Sequence, residues 1–190
     1  MNSATPATAQ PSLLDAWMEQ EQRIAAAMEA GMGCGVASPE QVAGKTGLEV
    51  MQAMLRGALP YPPIARTLGF TLVEVDAGRA VFQGTPKFEH YNPLGSVHGG
   101  WFATLLDSAL GCAVHTMMPP GRGYTTAELG VNLVRAITTK VRRVRAEGRV
   151  LHCGRQLATA QARLVGPDGT LYAHGSTTCL VFDLGRPPKL

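Results

Sequence analysis

Charge is scarce in this chain. Asp, Glu, Lys and Arg make up 16% of its 190 residues, while 45% are hydrophobic. That balance excludes a charged, solvated polymer and supplies a real core, enough for one domain with an extension. The low charge and the 22 glycines point to surface covered by other subunits. No apolar stretch reaches the length of a membrane span, so no membrane partner is expected. Residues 1–11 hold no basic side chain and no apolar core, which argues against a secretory signal and for a cytoplasmic protein. The four cysteines (Cys34, Cys112, Cys153, Cys179) form no C-x-x-C pair. Free thiols in a reducing compartment are expected, with no metal set and no disulfide set. The G-x-S-x-G elbow, H-E-x-x-H, the P-loop and the dinucleotide fingerprint are all missing. His90, His98 and His115 lie too far apart along the chain to mark a metal site by spacing.

The net charge of +3 is divided unevenly. Residues 1–60 hold three basic and six acidic side chains, a balance of −3; residues 61–190 hold fourteen and eight, a balance of +6. An acidic N-terminal region argues against a nucleic-acid-binding arm. A mildly basic remainder suits an anionic ligand without identifying one.

What is present centres on Asn92 to His115. A turn, Asn92-Pro93-Leu94-Gly95, leads to His98-Gly99-Gly100 and then to a long apolar run. The run lacks alternation and is too long for an ordinary strand, so it predicts a helix from Gly99 to His115. Its large side chains spread round the cylinder, as in a helix covered on most sides. Asp107 sits in apolar company, where an unpartnered carboxylate is costly. Gly99 and Gly100 leave unshielded N–H groups at the positive end of the helix, where a developing oxyanion would be favoured. A turn-only role for the two glycines is compatible with this.

The remaining pattern predicts a tail over 1–11, a helical extension over 12–60, a domain over 61–184 and a tail over 185–190. Ser12 should cap a helix running to Ala30. Ser38-Pro39-Glu40-Gln41 is a second start, with helix continuing intermittently to Leu59 and a break near Gly44–Gly47. A helical turn is expected at Ile64–Leu68. Phe70–Val75 and Arg79–Gly84 read as a hairpin. After the helix, strands are expected near Thr125–Val134, Lys140–Val150, Gln156–Val165 and Leu171–Phe182, the last two joined at Pro167-Asp168-Gly169. Lys140, Arg142, Arg143 and Arg145 read as a solvated strand face.

Asn92-Pro93-x-Gly95-x-x-His98-Gly99-Gly100, an aliphatic stretch, and Asp107 nine residues after the His form a pattern that resembles the PaaI-type (phenylacetic acid degradation) thioesterases. These belong to the hotdog-fold acyl-CoA thioesterase superfamily, and the resemblance runs from about Pro62 to Val181. It implies an α+β fold: a long central helix wrapped by a curved antiparallel sheet, here with a helical N-terminal extension. It implies hydrolysis of an aryl or medium-size acyl-CoA, with no cofactor beyond the coenzyme A of the substrate. Asp107 would be nucleophile or general base. The Gly99 N–H would polarise the thioester carbonyl, beside Gly100. His98 would orient the loop or contact the carbonyl region, and Asn92 would bond the acyl carbonyl or the water. Thr126, or else Thr125, would hold the water or the acid. Arg135, His152 and Arg155 lie where relatives approach the nucleotide part of coenzyme A.

Gly99 and Asp107 are eight residues apart, about 12 Å of helical rise. If both serve one carbonyl, they must come from different chains, so at least a homodimer is expected. Relatives are commonly tetramers. Two rival readings remain from the residues: a hotdog dehydratase or hydratase acting on acyl thioesters, and a non-catalytic acyl-CoA-binding regulator.

Overall fold

A computed structural model describes residues 12–185. The tail expected over 1–11, and all but the first residue of the one expected over 185–190, lie outside that range. Helix α1 (Leu13–Ala30) starts at Ser12, whose side chain accepts from the Asp15 amide while the Asp15 carboxylate accepts in return. This reciprocal box satisfies donors that a helix start otherwise leaves bare. Ser38 and Gln41 build the same box for the short α2 (Pro39–Val42). Thr46 and Glu49 build it for α3 (Gly47–Leu55), a Thr-x-x-Glu signal that the sequence reading passed over. A fourth helix, α4 (Pro63–Leu68), leads into the sheet.

Strands β1 (Phe70–Asp76) and β2 (Arg79–Gly84) form the expected hairpin. The central helix α5 (Gly99–His115) follows, with the bounds its apolar run predicts. Then come β3 (Arg122–Leu133), β4 (Val144–Cys153), β5 (Leu157–Val165) and β6 (Leu171–Asp183). All pair antiparallel in one sheet of order β1-β2-β4-β5-β6-β3. The chain therefore passes from β2 through α5 to the far edge of the sheet before returning beside β2. This is the hotdog arrangement.

Leu105, Leu106, Leu110 and Val114 of α5 are fully buried. Each such side chain contributes roughly 1.5–3 kcal/mol when removed from water. Trp101 and Phe102 are buried too, and the Trp101 indole N–H donates to the Leu68 carbonyl at 2.8 Å. These residues pack the core.

The N-terminal helices close on the same chain. Gly84 faces Trp101 and Leu105 of α5, whereas its neighbour Gln83 donates to the Trp17 carbonyl of α1. Successive strand residues point to opposite faces, so this part of α1 lies across the sheet from α5. Arg145 fastens it. Its guanidinium donates to Gln83, Glu74 and Gln20, and lies 4.4 Å from the centre of the Trp17 ring. The solvated strand face read at Lys140–Arg145 is thus corrected. Lys140, Arg142 and Arg143 precede β4, and Arg145 is buried in hydrogen bonds to side chains far along the chain. Burying its charge is tolerable because every polar direction finds a partner.

At the far end of α5, α3 meets the helix backbone to backbone. The Gly47 N–H donates to the Met118 carbonyl at 2.9 Å. A Cβ at position 47 would fall 1.7 Å from the His115 carbonyl oxygen, so only glycine allows this approach.

Candidate active site

The loop before α5 is shaped by its own side chains. The Asn92 side-chain Oδ1 accepts from the amides of Leu94 and Ser96 at 2.9 and 3.3 Å, and its Nδ2 donates to the Ser96 hydroxyl. The residue predicted to touch substrate therefore closes its own turn. His98 is the N-cap of α5: its Nδ1 accepts from the Gly100 amide at 2.9 Å. The His98 ring is thus fixed by the first turn of the helix it caps. One helix-start donor is thereby consumed. The Gly99 N–H has no acceptor among the described residues, and it remains the free donor at the positive helix end.

Gly99, Asn92 and Arg135 share the wall of a surface cavity of about 250 Å³ with Ser96 and Leu133. Arg135 is exposed just past the end of β3.

Asp107 lies two turns further along, half-buried on the side of α5 that faces β3. Its Oδ1 accepts from the Thr126 hydroxyl at 3.1 Å; Oδ2 has no donor among the described residues. Of the two threonines left open by the sequence, Thr126 holds the acid, while Thr125 pairs with Leu180 at the next position along the strand. Two thiols and a phenol stand near this carboxylate. Burial, with Asp107 adding to it, pushes the Cys112 thiol up to about 12. The same causes, joined by Cys112 and Cys179, keep the Tyr124 phenol well above its usual range. All three groups are protonated at neutral pH, and all four cysteines are free.

His152 and Arg155 lie at the opposite end of β3 from Arg135. Both are exposed, and the Arg155 carbonyl accepts from Arg122 in the first residue of that strand. The length of β3 separates the two groups by about 40 Å. Within one chain, Arg135 and Arg155 cannot hold the same phosphate.

Residues 94–173 match the family model described as the thioesterase superfamily. The matched segment is 80 of the 190 residues. The structural neighbours agree with the match. A phenylacetic acid degradation-related protein of Ralstonia eutropha JMP134 superposes with TM-score 0.63 at 29% identity, over 68% of this chain and 98% of that one. A mutant form of the phenylacetic acid degradation protein PaaI from Thermus thermophilus gives 0.56 at 26%, over 62% and 97%. A thioesterase family protein from Silicibacter pomeroyi gives 0.59 at 26%, over 64% and 90%. No curated protein sequence matches the chain. Over this segment the chain is thus similar to hotdog-fold thioesterases, PaaI proteins among them. The match begins inside the loop before α5 and includes Asp107, Gly99 and Thr126; the N-terminal helices lie outside it.

Sequence reasoning missed Tyr124. It shares a strand face with Thr126, two residues on, and so approaches the same side of α5 as Asp107. A polar aromatic two positions before a predicted site residue on a strand was the available signal.

Proposed function

We propose that this protein hydrolyses an acyl-CoA thioester to the free acid and coenzyme A. Asp107 serves as nucleophile or general base, and the Gly99 N–H polarises the carbonyl. One observation carries the reading. The apolar central helix presents a carboxylate held on one oxygen by Thr126 and open on the other, and the same helix begins with an uncommitted amide. A thioester suits so spare a site. Its thiolate leaving group is stable near neutral pH, so an acid and an oxyanion donor suffice without a triad.

Because α5 runs unbroken from Gly99 to His115, the two groups stay about 12 Å apart in one chain. The site therefore combines Gly99 of one protomer with Asp107 of another. Strand β3 provides the means. It is a sheet edge twelve residues long, and of these only Gly123 is buried. A long exposed edge is a template for pairing with a second copy about a two-fold axis. Homodimerisation, with a dimer of dimers as the larger assembly, belongs to this proposal.

Asp107→Asn should leave the fold intact and lower thiol release from acyl-CoAs by about 10³-fold. A panel of aryl- and alkyl-CoAs with thiol detection measures this. Equal turnover by the two proteins would remove Asp107 from the chemistry, and no turnover by the wild type on any thioester would favour a binding role.

A further inference from the structure

Residues 37–50, the C-terminal end of α5, the start of β3 and the end of β6 line a half-open cavity of about 620 Å³. Val42, Val50, Phe182 and Leu184 supply apolar wall, and His115 and Tyr124 line it too, their rings 5.7 Å apart. The volume lies within the ordinary range for small-molecule sites, roughly 300–1,000 Å³. Its charged lining residues are engaged elsewhere: Lys45 with the Gln41 carbonyl, and Arg122 with Asp183.

Tyr124 reaches both this cavity and the surroundings of Asp107. Asp107, Gly111 and His115 repeat at four-residue spacing on one face of α5. Tyr124 and Thr126 share one face of β3 opposite them. Thr126 bonds Asp107, His115 lines the cavity, and Tyr124 stands between. The phenol lies against Gly111, where a Cβ would come within 2.9 Å of its oxygen. Glycine at this position makes the room the ring occupies. The Tyr124 side chain is half-buried and its hydroxyl makes no hydrogen bond among the described residues, so no such bond holds the ring in place. Both polar groups are uncharged at neutral pH. Burial holds His115 below its usual range, and it holds the phenol above its own. The walls therefore suit an apolar guest.

We infer that this cavity is a chamber for the distal part of an alkyl acyl group whose thioester carbon lies at Asp107, with Tyr124 as the partition that limits acyl length. The inference rests on the hydrolase reading above. Acyl groups that end before Tyr124 fit without moving it. Longer ones must displace the ring to enter the space beneath α2 and α3. The helical extension, outside the family match, would thus determine specificity.

The test uses the full-length protein with butyryl-CoA and decanoyl-CoA. Tyr124→Ala should raise the decanoyl-to-butyryl ratio of kcat/KM by about tenfold or more. Adding Ala43→Trp, which fills the chamber from the exposed residue that follows α2, should return the ratio to the wild-type value. An unchanged ratio in folded Tyr124→Ala overturns the inference, and so does a raised ratio that Ala43→Trp leaves in place. Binding of free decanoate, followed by calorimetry, decides the matter without hydrolysis and without the Tyr124 variant. Ala43→Trp should weaken it by about tenfold. If decanoate binds both proteins equally, the chamber is not its site. If the wild type hydrolyses no acyl-CoA but Ala43→Trp still loses decanoate, the hydrolase reading fails and the chamber stands.

Discussion

The two ends of α5 are built on opposite plans. The first end is open: exposed His98 caps it, a self-bonded Asn92 turn leads in, and Gly99 keeps a free amide at the surface. The last end is closed. Gly47 of α3 lies against the His115 carbonyl, and Tyr124 covers Gly111. One helix thus leaves a donor uncovered at a small surface cavity at its first end, and at its last end packs backbone against the extension beside the larger cavity. Asp107 lies between the two. The contrast teaches that glycine can leave a backbone donor uncovered at one end of a helix and admit a close backbone contact at the other.

Substitutions at the two ends should separate these roles. Gly99→Pro is the largest test at the open end. Proline is tolerated at the first helical position, and His98 already has the extended backbone that a following proline requires. The change removes the amide hydrogen with little other disturbance, so kcat/KM should fall by about 10²-fold while the helix survives. Steady-state kinetics with circular dichroism would check this, and full activity in the variant would break the assignment of Gly99. At the closed end Gly47→Ala should act on stability, since backbone cannot move aside for the new Cβ. A loss of about 2 kcal/mol, or roughly 4–8 °C in Tm, is expected. Gly99→Ala is its counterpart. The new Cβ there meets only the exposed tip of Leu133 at 2.9 Å, a side chain that can rotate. Equal melting losses for the two alanine variants would erase the distinction between the ends.

A smaller effect should appear with pH. His90 lies beneath the open end, stacked on Trp101 and accepting at Nδ1 from the Lys87 amide; His115 lies at the closed end. Burial lowers the pKa of both. Each is neutral when folded and takes up a proton more readily when unfolded. Their stabilisation is complete above the ordinary histidine range and declines as pH falls below about 6.5. Tm measured from pH 8 to pH 5 should drop over that lower window, and His90→Phe and His115→Phe should each flatten the drop. A wild-type profile level to pH 5 would contradict this.

Much of the fold was legible because its signals are local. The apolar run set both ends of α5, Ser12 and Ser38 marked helix starts, and alternation located the hairpin. What stayed hidden depends on distant partners. Arg145 looks solvated beside Arg142 and Arg143 until Gln20 and Gln83 arrive from elsewhere in the chain. The side-chain use of Asn92 and His98 was likewise invisible, since a motif names residues and not their hydrogen bonds. Asp107 stood out by its apolar setting, while Tyr124 became significant only when β3 placed it beside Gly111.

The central claim is that each site draws its acid and its amide from different chains. A mixed oligomer of Asp107→Asn and Gly99→Pro subunits, purified through two different tags, tests it most directly. If sites are shared, one of the two in a mixed dimer inherits both intact groups, and activity should return to about half the wild-type value although neither variant alone is active. A mixed oligomer as inactive as its parents would contradict the account.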